Sequence, residues 1–137
     1  MRKITAHPLW LGHAGDVRDP TRLLDAGISA VVCVVASEPP LALPRDLVYC
    51  RFPLVDGAGN PDWLLRAAVE TVASLLRAGT PTLVHCSAGI SRSPAIGGAA
   101  LALASGCSFG EGLKAVTESG ASDVSPGLWE AIEAAMR

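Results

Sequence analysis

The chain has 137 residues and a formal net charge of −2 at pH 7, and 50% of its residues are hydrophobic and 18% charged. This length gives room for one domain with one core, residues 1–137, and the composition is globular rather than disordered. The weak negative charge offers no basic surface for nucleic acid or an anionic membrane, so neither is expected as a partner. The longest apolar run, residues 94–104, is far below the ~20 residues of a membrane helix. We expect the protein to be cytoplasmic, because no signal-peptide core follows the first residues and cysteines stay reduced in that compartment. We also expect a monomer.

The first half of the chain predicts strands separated by a helix and loops. A short strand at 9–12 comes first, and a helix follows it, capped by Asp19 with Pro20 at its first position and ended by Gly27. The β-branched run 30–35 is typical of a strand that is covered on both faces. A proline-rich loop at 37–46, a strand at 47–54 and a glycine-rich loop at 55–59 complete this half.

The second half is mostly helical. Asn60-Pro61 is expected to cap a helix that ends at Gly79. Its apolar stripe is predicted to be Trp63, Leu64, Ala67, Ala68, Val72, Leu75 and Leu76. A buried strand at 82–85 and an alanine-rich helix at 95–104 come next. Two further helices follow, one capped by Ser108 and one beginning after Ser125-Pro126.

Alternating strands and helices predict an α/β fold of three layers, with a mostly parallel central sheet flanked by helices. Ligands of such sheets bind beyond the carboxyl ends of the strands. Cys86 lies at that end of its strand, so the following loop is the expected binding site.

The segment 84–94 joins the buried strand to the alanine-rich helix through small turn residues. A tight loop that leads into a helix aims backbone N–H groups and partial positive charge at one point. Cys86 is expected at the exposed mouth of this loop, where a thiolate is favoured. Arg92 follows after five residues, and its guanidinium can hold two oxygens of a phosphate. Gly89 allows a turn with positive φ, and Pro94 fits the first helical turn.

Neither a metal nor another cofactor is expected. The only histidines are His7, His13 and His85, and no pair of cysteines forms a CxxC motif. Free cysteines are most often buried structural residues, and we interpret Cys33, Cys50 and Cys107 in this way.

The motif formed by His85-Cys86-x-x-Gly89-x-x-Arg92-Ser93 resembles the signature of the cysteine-dependent protein tyrosine phosphatases. Its full sequence, HCSAGISRS, resembles that of the dual-specificity subfamily. Segments 9–12, 24–32 and 52–56 are similar to other parts of that family, so the resemblance covers about residues 9–136.

The resemblance implies the protein tyrosine phosphatase fold and a reaction in two steps. Cys86 would attack phosphorus and form a phosphocysteine. Arg92 and the loop amides would hold the phosphate oxygens, Ser93 would help the thiolate to leave, and the His85 ring would orient the loop by hydrogen bonds. The residues that would bind the phosphate through the loop are Ser87, Ala88, Gly89, Ile90, Ser91 and Arg92.

Asp56 is the first candidate for the general acid that the resemblance requires. It lies 30 residues before Cys86 (86 − 56), on a loop beside Gly57. Asp62 is its main rival, although its place at a helix start suits a dipole-stabilising role. Asp46 is interpreted as a solvated surface residue. Two arginines in loops near the site, Arg18 and Arg45, are either surface residues or contacts for acidic substrate sequences.

These observations predict a phosphoprotein phosphatase that acts on phosphotyrosine and also on phosphoserine and phosphothreonine. The loop contains no lysine, whereas relatives that hydrolyse polyanionic inositol lipids carry basic residues there. Three alternatives remain: a phosphatase of another phosphoester, a catalytically silent phosphate-binding module, and a sulfur-transfer or arsenate-reducing enzyme with a similar cysteine loop.

Overall fold

The computed structural model describes residues 1–137 and has a five-stranded sheet at its centre. The strands are β1 (Arg2–Lys3), β2 (Leu9–His13), β3 (Ala30–Cys33), β4 (Val48–Arg51) and β5 (Thr82–Cys86). They lie in the order β1-β2-β5-β3-β4, and only the β1–β2 pair is antiparallel. Every residue of β3 and β5 is buried, as expected for central parallel strands covered on both faces.

Helices cover both faces of the sheet. The elements are α1 (Pro20–Asp25), α2 (Asp62–Arg77), α3 (Arg92–Ser105), α4 (Phe109–Thr117), α5 (Pro126–Ala135) and a short 3-10 helix (Ala14–Arg18). One face packs against α1 and the 3-10 helix in a small cluster that includes Val17, Leu23 and Val31. The larger core, with Val32 and Val84 from the sheet, packs against α2, α3 and α5. The predicted three-layer α/β fold is therefore confirmed.

No helix of this fold is both long and apolar enough to span a lipid bilayer.

The predicted strands and helices are all present, and their ends differ by a few residues. The structure ends β3 at Cys33 and β4 at Arg51, before the predicted ends at 35 and 54. Pro53 has no N–H to extend a ladder, which accounts for the second difference. Helix α3 begins at Arg92, three residues before the predicted start, because a proline in the first turn costs no hydrogen bond. The two-residue strand β1 and the 3-10 helix are too short to show a periodic pattern and were not predicted.

Helix α2 differs from prediction in its buried stripe and in the role of Asn60, and the second difference concerns the site. Trp63 is 64% exposed, so it does not belong to the buried stripe. That stripe is formed by Leu64, Leu65, Ala68, Val69, Val72, Ala73 and Leu76. Asn60 does not cap the helix either. Its side chain accepts from the Val55 N–H and donates to the Val55 carbonyl, both at 2.9 Å, and thus closes the loop that carries Asp56.

The contact between α3 and α4 depends on two glycines and gives a prediction for stability. A Cβ at position 112 would overlap the Gly98 carbonyl oxygen and lie 2.8 Å from the Ala102 Cβ. We expect Gly112→Ala to lower the free energy of unfolding by about 1–3 kcal/mol, because the helices must separate to admit the methyl group. Urea unfolding measures this value.

The matched control is Gly110→Ala in the same helix, where the nearest atom to a new Cβ is Ser108 Oγ at 3.9 Å. This variant should leave stability unchanged or raise it by up to about 1 kcal/mol, since alanine favours helix. Equal effects of the two substitutions would contradict the packing argument.

Candidate active site

The carboxyl ends of three parallel strands meet at one level of the sheet. His13 of β2 pairs in register with Cys86 of β5, and Cys33 of β3 pairs with His85. The loop 87–91 leaves β5 at this level and enters α3 directly. Cys86 therefore lies at the carboxyl ends of the parallel strands, as the sequence indicated.

Cys86 lies at the bottom of the loop rather than at an exposed mouth. The residue is only 2% exposed, and its side chain belongs to the larger core on the α3 side of the sheet. The Gly89 N–H donates to Cys86 Sγ at 3.2 Å. The expectation of an exposed thiol was wrong, because the loop folds back over the end of β5 and covers the sulfur on one side.

The loop contains several backbone N–H groups without a partner in the protein. Two of its carbonyls are bound from outside the loop: the Ala14 N–H donates to the Ser87 carbonyl at 3.2 Å, and the Asp123 N–H donates to the Ile90 carbonyl at 2.7 Å. The N–H groups that donate to no protein acceptor are those of Ser87, Ala88, Ile90 and Ser91. Donors of this kind form an anion-binding concavity at the start of a helix.

Gly89 allows the loop to lie this close to β2. Gly89 has φ of 78°, the left-handed conformation that the sequence predicted for it. A Cβ on Gly89 would also lie 2.9 Å from the Gly12 carbonyl oxygen. Any larger residue at position 89 would push the loop away from the strand.

Arg92 is held beside the loop without a carboxylate partner. Its Nη1 donates to the Leu54 carbonyl at 3.0 Å and its Nη2 to Ser87 Oγ at 3.3 Å. None of the ion pairs in the structure includes this residue. The guanidinium is therefore oriented by neutral groups and keeps its charge for an anion in the loop.

Ser93 is fully buried and connects the sulfur to β2. The Cys86 thiol donates to Ser93 Oγ at 3.3 Å, and this hydroxyl donates to the Gly12 carbonyl at 3.4 Å. When the thiol is ionised it can no longer donate, and the Ser93 O–H becomes the group that can turn toward the sulfur.

Of the three candidate acids, only Asp56 contacts the loop. Its Oδ1 accepts a hydrogen bond from Ser91 Oγ at 2.6 Å. Asp62 is the exposed first residue of α2, and Asp46 is exposed in the loop before β4, so each has the place that its surface interpretation predicts. The geometry brings Asp56 to the same loop as Cys86 and Arg92.

The His85 ring does not orient the loop by hydrogen bonds, contrary to the prediction. Both ring nitrogens are buried and have no hydrogen-bond partner in the protein. Strand alternation turns the ring to the sheet face opposite Cys86, where it lines a cavity of about 140 Å³ with Arg18, Glu38 and Leu41. Burial lowers the pKa of His85, so the ring is neutral at pH 7 and supports the strand by packing.

The other three cysteines differ in burial. Cys33 is buried, and burial raises the pKa of its thiol. Cys50 is half-buried, and Cys107 is exposed in the turn before α4, so the buried structural interpretation was wrong for Cys107. Of the two loop arginines, Arg18 lies at the His85 cavity and Arg45 is exposed in the loop before β4.

Sequence inspection missed Asp16, a buried carboxylate in the turn after β2. It accepts from the His13 N–H at 2.9 Å and lies 3.2 Å from Arg22 Nη1. Burial alone would raise the pKa of Asp16, but the His13 hydrogen bond and the Met1 ammonium outweigh it, so that pKa is lowered. This turn carries the Ala14 N–H that binds the catalytic loop. The sequence did not indicate that Asp16 is buried, because a charged residue in a short turn is ordinarily exposed.

The histidine, cysteine, aspartate and glutamate side chains of the structure form no cluster of three or more that could hold a metal ion.

Solved structures of other proteins share the fold of this chain. Human DUSP28 superposes with a TM-score of 0.85 at 26% identity, over 98% of this chain and 94% of that one. DUSP15 gives a TM-score of 0.77 at 26% identity, over 98% of this chain and 85% of its own. The chain thus resembles the small dual-specificity phosphatases.

A viral structure agrees with this placement. The chain also resembles OH1 from the Orf virus, a tyrosine phosphatase, with a TM-score of 0.67 at 25% identity, over 97% of this chain and 83% of that one. No family model and no curated protein matches the chain. The predicted resemblance is thus confirmed by solved structures.

The buried carboxylate of Asp16 gives a pH-dependent prediction. We expect Asp16→Asn to lower the free energy of unfolding at pH 7 by about 1–3 kcal/mol. The folded-state pKa lies below the unfolded value of ~3.9, so the stabilisation is present above that pH and is lost as the pH falls through the folded pKa. Urea unfolding from pH 7 to pH 3 should show the two proteins converge in acid.

The control is Asp46→Asn, an exposed residue without an ion pair, which should differ from wild type by less than about 0.5 kcal/mol throughout. A difference for Asp16→Asn that stays constant over the whole pH range would refute the charge-based explanation.

Sheet geometry also predicts how Cys86 responds to oxidation. Cys33 pairs with His85, so its side chain lies on the face opposite Cys86. Cys50 pairs with Val32, and β3 separates its strand from β5 by two strand spacings, roughly 9–10 Å. The first pair is excluded from a disulfide by the direction of the side chains and the second by the distance between the strands. Mild peroxide should therefore convert Cys86 to a sulfenic acid that added thiol reduces, without a bond to either cysteine.

Peptide mapping without reductant checks this prediction, and Cys33→Ser and Cys50→Ser should recover activity after peroxide as wild type does. A linked Cys33–Cys86 or Cys50–Cys86 peptide would show that the strand register misled us.

Proposed function

We propose that the protein is a cysteine-dependent phosphatase that hydrolyses phosphotyrosine, and also phosphoserine and phosphothreonine, in phosphoproteins. The observation that carries this proposal is that Cys86 Sγ lies in a loop with unpaired N–H groups, with Arg92 bound to Ser87 of that loop and Asp56 bound to Ser91. Its structural neighbours are dual-specificity and tyrosine phosphatases, which supports the same activity.

In the first step the Cys86 thiolate attacks phosphorus opposite the leaving oxygen. The S–P bond forms as the bond from phosphorus to the leaving oxygen breaks, and that oxygen takes the proton of Asp56. The three remaining phosphate oxygens face the loop N–H groups and the Arg92 guanidinium, which stabilise the charge that develops there.

In the second step water attacks the phosphocysteine. The Asp56 carboxylate accepts a proton from the water as the new P–O bond forms and the S–P bond breaks. The electron pair of that bond returns to Cys86 Sγ, and the Ser93 O–H at 3.3 Å is placed to donate to the departing thiolate. Inorganic phosphate then leaves, and the acid is again protonated.

The walls of the loop support a substrate with a single phosphate. Ala88 and Ile90 are its exposed side chains, and neither carries charge. Arg92 is therefore the one cation within the loop, which suits a monoester better than a polyanionic inositol lipid. The presence of Cys86, Arg92 and Asp56 together disfavours a silent binding module.

We further propose that residues 1–137 act as a single monomeric catalytic domain in the cytoplasm, with phosphorylated proteins rather than nucleic acid as partners. A nucleophilic thiolate requires a reducing compartment, and the net charge of −2 supports no polyanion as a partner.

The experiment is hydrolysis of aryl phosphates with and without chelator. Wild type should turn over substrate in both conditions, because each catalytic role is assigned to a protein side chain. Cys86→Ser should lose at least about 10³-fold in rate, since the nucleophile is lost. Activity that survives in Cys86→Ser would overturn the mechanism.

Asp56→Ala tests the acid with the same assay. Its kcat/KM should fall by about 10²-fold or more for a phenol-like leaving group and far less for a very good leaving group, which needs no proton. Asp62→Ala is the matched control and should resemble wild type with both substrates. Equal losses with both leaving groups would remove Asp56 from the acid role.

A further inference from the structure

Ser91 occupies the helix-capping position of α3 without capping that helix. A serine at this position ordinarily accepts from an N–H of the first helical turn. Here the side chain makes no such bond, although the residue is only 7% exposed. The N–H groups at the start of α3 consequently remain free for phosphate oxygens. Departures from a local rule of this kind are expected at functional sites.

The Ser91 hydroxyl is instead fixed between two groups that are distant in the chain. It accepts from the Ser125 N–H at 3.0 Å and donates to Asp56 Oδ1 at 2.6 Å. A backbone N–H can only donate, so it occupies a lone pair of the hydroxyl. The single hydroxyl proton is then directed at the Asp56 carboxylate.

Asp56 depends on this contact for its orientation. It is exposed, on a loop with glycines at positions 57 and 59, and it takes part in no ion pair. Asn60 closes the loop through backbone groups of Val55 and Gly57 and does not bind the Asp56 carboxylate. The Ser91 hydroxyl is therefore the side chain that ties the carboxylate to the catalytic loop.

We propose that Ser91 is the positioning residue of the general acid: its hydroxyl holds Asp56 Oδ1 against the catalytic loop and leaves Oδ2 to carry the proton to the leaving oxygen. The inference rests on the proposed phosphatase function. It adds a side-chain role to a residue whose expected part was only to bind phosphate through its backbone N–H.

The α4–α5 connection holds Ser91 in this role. Ser125 directly precedes α5, and the Asp123 N–H donates to the Ile90 carbonyl next to Ser91. The same connection is bound to the edge of the sheet, where Arg2 donates to Ser119 Oγ at 2.9 Å and to Ser122 Oγ at 3.1 Å. The acid is thus aligned through Ser91 by a segment that is distant in the chain from both Asp56 and Cys86.

The test compares Ser91→Ala and Ser91→Thr with wild type on two aryl phosphates, one with a poor and one with a very good leaving group. The measured quantity is kcat/KM, which reports the steps up to departure of the leaving group. Ser91→Ala should lower it by about 10- to 100-fold for the poor leaving group and by less than about 3-fold for the good one. Ser91→Thr keeps the hydroxyl and should recover most of the loss.

A double-mutant cycle separates positioning from a general structural role. In an Asp56→Ala background, Ser91→Ala should cause no further loss, because the residue acts through a carboxylate that is no longer present. Equal losses with both substrates, or a loss that persists in the Asp56→Ala background, would overturn the inference. Thermal unfolding of each variant identifies any loss caused by misfolding. If Ser91→Ala does not fold, Ser91→Cys, which has a similar volume but only a weak S–H donor, replaces it in the comparison.

The two proposals fail differently. If wild type hydrolyses neither substrate, or if Cys86→Ser is as active as wild type, the phosphatase function itself is refuted. If wild type is active and depends on Cys86 while Ser91→Ala shows no dependence on the leaving group, only the role of Ser91 is refuted.

Discussion

The active site depends on the outward direction of the carbonyls in one short loop. Three of its carbonyls accept hydrogen bonds from backbone N–H groups outside the loop, whereas four of the loop N–H groups donate to no protein acceptor. Ala14 supplies a donor from the end of β2, Asp123 supplies one from the α4–α5 connection, and Ala95 supplies one to the Ser91 carbonyl from α3. The absence of a Cβ at Gly89 lets the loop approach β2 closely enough for this arrangement.

Further hydrogen bonds to neutral groups order the side chains of the candidate site. The Leu54 carbonyl and Ser87 Oγ hold Arg92, the Gly12 carbonyl holds Ser93, and Ser91 Oγ holds Asp56. All of these partners are neutral, so they orient the charged groups without neutralising them. A carboxylate beside Arg92 would have competed directly with the phosphate.

The sequence predicted the fold and the loop that contains Cys86 and Arg92, because both leave local signals. Periodicity and helix caps locate the strands and helices, and the spacing of Cys86 and Arg92 defines the loop. The sequence did not predict what Asn60, Asp16 and the Ser91 side chain do, because their partners lie in other segments or in a folded turn. It also misplaced His85, since no local pattern indicates that the ring faces a cavity without a partner.

The donors that aim the loop come from positions 14 and 123, far apart in the chain and on either side of the loop. A peptide that spans the loop would contain the Cys86 thiol and the Arg92 guanidinium but would lack the contacts that fix the loop conformation. The binding site exists only when the first strands and the last helices have both docked. The shape of the loop therefore depends on contacts between distant parts of the chain, and a substitution far from Cys86 can change it by removing one of these donors.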